Sequence, residues 1–141
     1  MTGLAQLQAM LDGTVPPAPM AQLLDFVLEE VDEGRAVFRA HPGAQHANPM
    51  GTVHGGLALT LLDSAAGAAV HTTLPPGASY GTLETKGNLV RPITTDAGPL
   101  VAIGEVVHRG SRVATAEARV VGARDGRLYA HGSSTCMVLG A

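Results

Sequence analysis

Tryptophan is absent from this 141-residue chain, and phenylalanine and tyrosine occur twice each. A core without many aromatics has to be filled by Val, Leu, Ile and Ala. There is one cysteine, Cys136, so no intrachain disulfide can form, which suits a reducing compartment. Charge is also scarce. Charged residues make up 15% of the chain, the formal net charge is -3, and there is no run of Lys or Arg. A nucleic-acid partner normally leaves a basic patch, so none is expected here. No segment reaches the ~20 apolar residues of a membrane span. The first residues, MTGLAQLQAML, lack the basic start and long apolar run of a signal peptide. The expectation is a cytoplasmic protein with no membrane partner. A Gly-x-Ser-x-Gly elbow is missing as well, which leaves a serine-hydrolase mechanism unsupported.

What is present reads as one α+β domain over residues 20–141, preceded by an N-terminal helix and linker over residues 1–19. Leu4 to Asp12 predicts a short helix closed by Gly13, and Thr14 to Pro19 holds three prolines. Leu23 to Val31 and Arg35 to Ala40 read as a hairpin turning at Gly34. A loop rich in Gly, Pro and Asn follows from His41 to Gly51. Gly55 to Thr73, rich in Ala and Leu and free of Pro, predicts a long helix stopped by Pro75-Pro76-Gly77. Strands are then expected over Tyr80 to Val90, Leu100 to Val107, Val113 to Val121 and Leu128 to Leu139, the last three as an antiparallel meander. The long helix must lie on the sheet, because nothing else can cover its apolar face.

The informative text is Asn48-Pro-Met-Gly-Thr-Val-His54-Gly55-Gly56, at the start of that helix. The first N–H groups of a helix lack internal partners and sit at the positive end of its dipole. Two glycines let another molecule approach them, an arrangement suited to a developing oxyanion. At 100° per residue, Thr60, Asp63, Ser64, Gly67 and His71 share one stripe. Asp63 is the only carboxylate in the helix. A solvent face usually carries several Lys, Glu and Arg. This one is small and nearly uncharged, as on a helix that meets a partner or lines a cleft. Asp63 lies eight residues beyond Gly55, about 12 Å along the axis at 1.5 Å per residue. One copy of the helix therefore cannot bring both groups to one reacting atom. A two-fold dimer with antiparallel neighbouring helices would make two composite sites.

Asn48-x-x-Gly51-x-x-His54-Gly55-Gly56 followed by a helical Asp63 resembles the hotdog thioesterases of the phenylacetate-pathway type, over about Leu23 to Leu139. The resemblance implies a hotdog fold: a long central helix wrapped by a curved antiparallel sheet. It also implies a homodimer or homotetramer with the active site between subunits, acting on an acyl-CoA. Asp63 would be general base or nucleophile, and the Gly55 N–H would hold the thioester oxygen. Asn48 would position water or substrate, and His54 would support the loop or touch the thioester. A strand hydroxyl would assist the water, Thr82 by alignment on Arg91-Pro92, with Thr85 as the fallback. Arg91, Arg109, Arg112 and Arg124, at strand ends and turns, are candidates for the CoA phosphates.

The residues agree with that chemistry. Thioester hydrolysis needs an attacking oxygen, a base and a stabilised oxyanion, and no metal or redox cofactor. His41, His46 and His54 match no ligand spacing and have no cysteine beside them. Each site residue also has a plainer reading: an Asx turn for Asn48, a tight turn for the glycines, a strand former for Thr82. A non-catalytic acyl-CoA-binding protein and an enoyl-CoA hydratase are the alternative functions on the same fold. The acyl group itself, aryl or medium-chain aliphatic, is not legible.

Overall fold

The computed structural model describes residues 1–140. Helix α1 (Gly3–Leu11) opens the chain, capped by the Thr2 hydroxyl, which accepts from the Ala5 N–H at 3.1 Å. It packs on the body of the domain: Leu7 is buried with Ala36 and Ala68, and the Gly3 N–H donates to the Leu74 carbonyl. Helix α2 (Pro19–Leu24) occupies the beginning of the predicted strand. Leu23 and Leu24 are therefore helical, and the strand expected from Leu23 does not begin there. Pro19 sits at the first helical positions, where its fixed φ favours a turn of helix, and Asp25 ends it with φ 58°. Strand β1 (Phe26–Asp32) starts only after that reversal and forms the expected hairpin with β2 (Arg35–Ala40).

After the loop comes α3 (Gly55–His71), two residues shorter than predicted, then β3 (Ser79–Leu89), β4 (Leu100–Arg109), β5 (Val113–Gly122) and β6 (Leu128–Leu139). They form one antiparallel sheet in the order β1-β2-β4-β5-β6-β3. The last three strands are a meander, as expected. β3 crosses to the far side of β6 and becomes an edge.

The curved sheet wraps α3, and small residues make the close approach possible. A Cβ on Gly104 of β4 would overlap the Ala65 carbonyl of the helix. Ala58, Ala65, Ala66 and Ala69 are buried, and Leu61 and Leu62 fill the space between them. Each such leucine contributes about 1.5–3 kcal/mol by leaving water. Ten of the 17 residues of α3 are buried, so little of the helix is left to face anything else. Asp63 and Leu59 are its exposed members, with Thr60 and Ser64 half-buried beside them. Gly67, expected on the open stripe, is buried instead. Tyr80 lies over it, its hydroxyl 2.9 Å from where a Cβ would be.

Candidate active site

The loop before α3 is held from several directions. His46 is buried, and its Nδ1 accepts from the Gly43 N–H at 3.1 Å. Its Nε2 must then carry the proton, which it donates to the Leu24 carbonyl at 2.8 Å. The His46 carbonyl in turn accepts from the His54 N–H at 2.8 Å. Asn48 closes the next turn with its own side chain. Its Oδ1 accepts from the Met50 and Thr52 N–H groups, and its Nδ2 donates to Thr52 Oγ1 at 2.9 Å. Thr52 and Val53 are tied to Thr94 and Ile93. These bonds deliver the chain to the helix start in a fixed direction.

His54 is the N-cap of α3. Its Nδ1 accepts from the Gly56 N–H at 2.8 Å. The Leu57 N–H already bonds the His54 carbonyl. Among the described residues nothing accepts from the Gly55 N–H, so this donor at the positive end of the helix is open. It borders a cavity of about 250 Å³ lined by Val53, Ala58, Leu89, Arg91, Ile93 and Tyr129. A second cavity of about 340 Å³ lies on the other side of the helix start, between Leu24, His54, Leu57 and Thr60.

Two turns along, the exposed Asp63 carboxylate accepts from Thr85 Oγ1 at 3.0 Å. Thr85 also lies 2.9 Å from the hydroxyl of Ser134, directly opposite on β6. Thr82 does not reach Asp63. Its hydroxyl faces Cys136 Sγ at 3.8 Å. Both threonines line the cavity of about 410 Å³ at Asp63, together with Leu59, Thr60 and Leu83. The cause is a bulge between Thr82 and Glu84. It adds one residue, so two positions three apart turn to the same face of the strand. Burial, with the nearby Cys136 and Asp63 adding to it, pushes the Tyr80 phenol up to about 12. It stays a neutral phenol beside this cleft. Burial likewise pushes the Cys136 thiol up, away from thiolate chemistry.

The arginines are dispersed. Arg91 is exposed at the cavity beside Gly55. Arg109 is engaged at the opposite end of α3, donating to Thr73 Oγ1 at 2.9 Å and to the Gly110 carbonyl. Arg112 is exposed beside Met137 and Val138. Arg124 lies against Gly98. The two helix ends are about 25 Å apart, so one chain does not gather Arg91 with Arg109 and Arg112. No group of three or more His, Cys, Asp or Glu able to hold a metal occurs among the described residues. No helix there is long and apolar enough to cross a membrane. The largest cavity, about 530 Å³, lies on the outer face of the sheet between Lys86, Glu105, Glu117, Arg119 and His131. Of its charges Arg119 pairs with Glu105 at 3.2 Å, and its lining comes from strands alone, with no helix end opening into it.

A long small-residue helix cradled by one curved antiparallel sheet defines a hotdog-fold protein. The chain belongs to the Thioesterase superfamily, whose family model matches residues 50–129, more than half of its length. It is thus a thioester hydrolase of the hotdog class. A Halobacterium salinarum relative named as an esterase is 32% identical over 118 residues, spanning 80% of this chain and 76% of that one. A Ralstonia eutropha protein whose description gives it as a thioesterase and as phenylacetic acid degradation-related is 30% identical. Its structure superposes with a TM-score of 0.82 over 92% of this chain and 97% of its own. The PaaI protein of the E. coli phenylacetic acid degradation operon shares the fold, with a TM-score of 0.84, 22% identity, and 99% and 94% of the two chains covered.

Proposed function

We propose that this protein hydrolyses an aryl- or medium-chain acyl-CoA to the free acid and CoA at a site shared by two subunits, in a cytoplasmic setting that suits its single reduced cysteine. The observation that carries the reading is the pair of unspent groups on α3. One is an open Gly55 N–H at the helix start; the other is an exposed Asp63 carboxylate oriented by Thr85. The first suits the thioester oxygen as it gains charge, and a single such donor is worth about 3 kcal/mol of barrier. The second suits a general base drawing a proton from water, or a nucleophile attacking the carbonyl directly. The relatives described as phenylacetic acid degradation proteins support an aryl acyl group over an aliphatic one.

The two groups lie about 12 Å apart on one helix, so the shared site needs a second copy. Strand β3 is the natural seam. The other edge, β1, is short and carries Glu29, Glu30 and Asp32, charges that discourage strand pairing. β3 has 11 residues, with Leu83, Leu89 and the adjoining Val90 at least half exposed. Pairing two β3 edges about a two-fold axis sets the α3 helices side by side and antiparallel, with one chain's Asp63 near its partner's helix start. The same operation carries Arg112 toward the partner's Gly55, where that subunit's Arg91 lies, so the two can meet CoA phosphates across the seam; Arg109 joins them only by giving up its bonds to Thr73 and Gly110. His54 and Asn48 serve by holding the helix start, since their side chains are committed to the Gly56 N–H and the 48–52 turn.

The test is free-thiol release from a panel of aryl- and alkyl-CoA thioesters. Turnover that is lost in Asp63→Asn supports the reading, and the panel then names the acyl class. Binding without release by wild type would favour a non-catalytic acyl-CoA-binding protein. Conversion of enoyl-CoA without thiol release would favour a hydratase.

A further inference from the structure

Ser134 is a polar residue in an apolar wall. It is 1% exposed, on β6 between the inward-facing Ala130 and Cys136 side of the core. Its neighbour across β5 is Ala116, which offers no polar side-chain atom. Its neighbour across β3 is Thr85, and the two hydroxyls are 2.9 Å apart. A serine hydroxyl in such a place costs stability unless it is bonded, and an alanine would pack there without that demand.

The direction of the bonds follows from the chemistry of the three groups. An ionised carboxylate only accepts, so at 3.0 Å the Thr85 hydrogen goes to Asp63 Oδ1. That leaves Thr85 Oγ1 with lone pairs alone to offer Ser134. Ser134 must then be the donor. The geometry points to Ser134 as a positioning residue for the reaction: its buried hydroxyl donates to Thr85 and so commits the Thr85 proton to Asp63. Ser134 touches no substrate. It fixes the rotor of a hydroxyl that sits at the mouth of the Asp63 cavity, with the carboxylate's second oxygen left for water or thioester. A chain of two polarised hydrogen bonds is also stronger than its members apart.

The inference rests on the reading of Asp63 as base or nucleophile, and the experiment separates the two. Steady-state thiol release is measured for wild type, Ser134→Ala, Thr85→Val, the double variant and Asp63→Asn, each with its melting temperature. Ser134→Ala is expected to lose roughly tenfold in kcat with KM little changed, the size of one well-placed hydrogen bond. In the Thr85→Val background the same substitution should cost nothing further, because the hydroxyl it serves is gone. An unchanged kcat in a folded Ser134→Ala chain overturns the proposal. So does an equal loss in both backgrounds, which would mean that Ser134 acts through the fold. Should Ser134→Ala not fold, Ser134→Cys gives the same comparison with the volume retained, since a thiol is a poor donor. If Asp63→Asn keeps the wild-type rate, the reading of Asp63 falls and this one with it. If Asp63→Asn is dead and Ser134→Ala is not impaired, only the role of Ser134 falls.

Discussion

The hydroxyl of Thr85 lies 3.0 Å from the carboxylate of Asp63, across 22 residues of sequence and from a strand onto a helix. The contact aims one carboxylate oxygen and leaves the other to the cavity. Asp63→Asn should therefore remove at least ~100-fold from kcat while thioester binding persists. Asp63 is exposed, so its loss should move stability by no more than about 0.5 kcal/mol. Thiol release and a melting curve on the same preparation check both halves. Activity at the wild-type level would end the catalytic reading of the helix.

The two strand threonines should separate cleanly. Thr85→Val removes the bond to Asp63 and is expected to lower kcat about tenfold. Thr82→Val removes only a long contact to Cys136 Sγ and should stay within about twofold of wild type. The reverse order, measured by thiol release, would mean that the substrate draws Thr82 into the site and that the bond seen at Thr85 is idle.

That pair also shows where the sequence stopped being informative. The long helix, the hairpin, the meander and the His54-Gly55-Gly56 start were legible because each is written locally, in a hydrophobic period, a turn residue or a cap. The choice between Thr82 and Thr85 was not. Period-two alternation puts residues three apart on opposite faces, and the bulge that cancels this is set by pairing with β6, far along the chain. Ser134 was invisible for a related reason. In the run His-Gly-Ser-Ser-Thr-Cys nothing marks which hydroxyl turns inward until Cys136 is buried and fixes the parity. The end of the short helix from Pro19 is not separable from a strand in the sequence, because Leu23 and Leu24 suit both. Arg109, a candidate for the CoA phosphates in the sequence, is engaged at the end of α3, a contact that only the fold creates.

The open donor at the helix start can be deleted with little else. His54 has φ -60° and ψ 132°, a conformation that accepts a following proline, and proline is well tolerated at the first helical position. Gly55→Pro removes the N–H and adds a side chain that meets Leu89. Gly55→Ala adds the Cβ, which would lie 2.6 Å from Leu89 Cδ1, but keeps the N–H. Relative to Gly55→Ala, Gly55→Pro should lose roughly 10²–10³ in kcat. Equal rates for the two would place the oxyanion elsewhere.

Acid should loosen the far end of the same helix. Burial holds the His71 imidazole below its ordinary 6.5. Its Nε2 hydrogen-bonds Gln6 Oε1 of α1 at 2.8 Å, and its ring leans on Tyr80. The unfolded chain takes up the proton first as the pH falls. The stability is thus complete above 6.5 and is lost on descent from there through the lower folded value. Melting temperature should drop as the pH falls below 6.5 in wild type, and the slope should be shallower in His71→Gln. Parallel slopes would assign the acid sensitivity to other groups.

The shared site makes the strongest demand. If Asp63 of one subunit works with Gly55 of the other, a chain carrying Asp63→Asn and a chain carrying Gly55→Pro are each inactive alone but complement when mixed. In a mixed dimer both lesions fall in one site and the other site is intact. Co-refolding equal amounts gives half mixed dimers, hence about a quarter of wild-type activity by two-fold symmetry. If both groups served a site within one chain, every site in the mixture would carry one lesion or the other, and no activity would return. A charged residue at Leu83, exposed on the β3 edge, should weaken that dimer and abolish activity together. Sedimentation read beside the rate tests this: an active Leu83→Glu monomer would rule out the shared site, whatever Asp63 does.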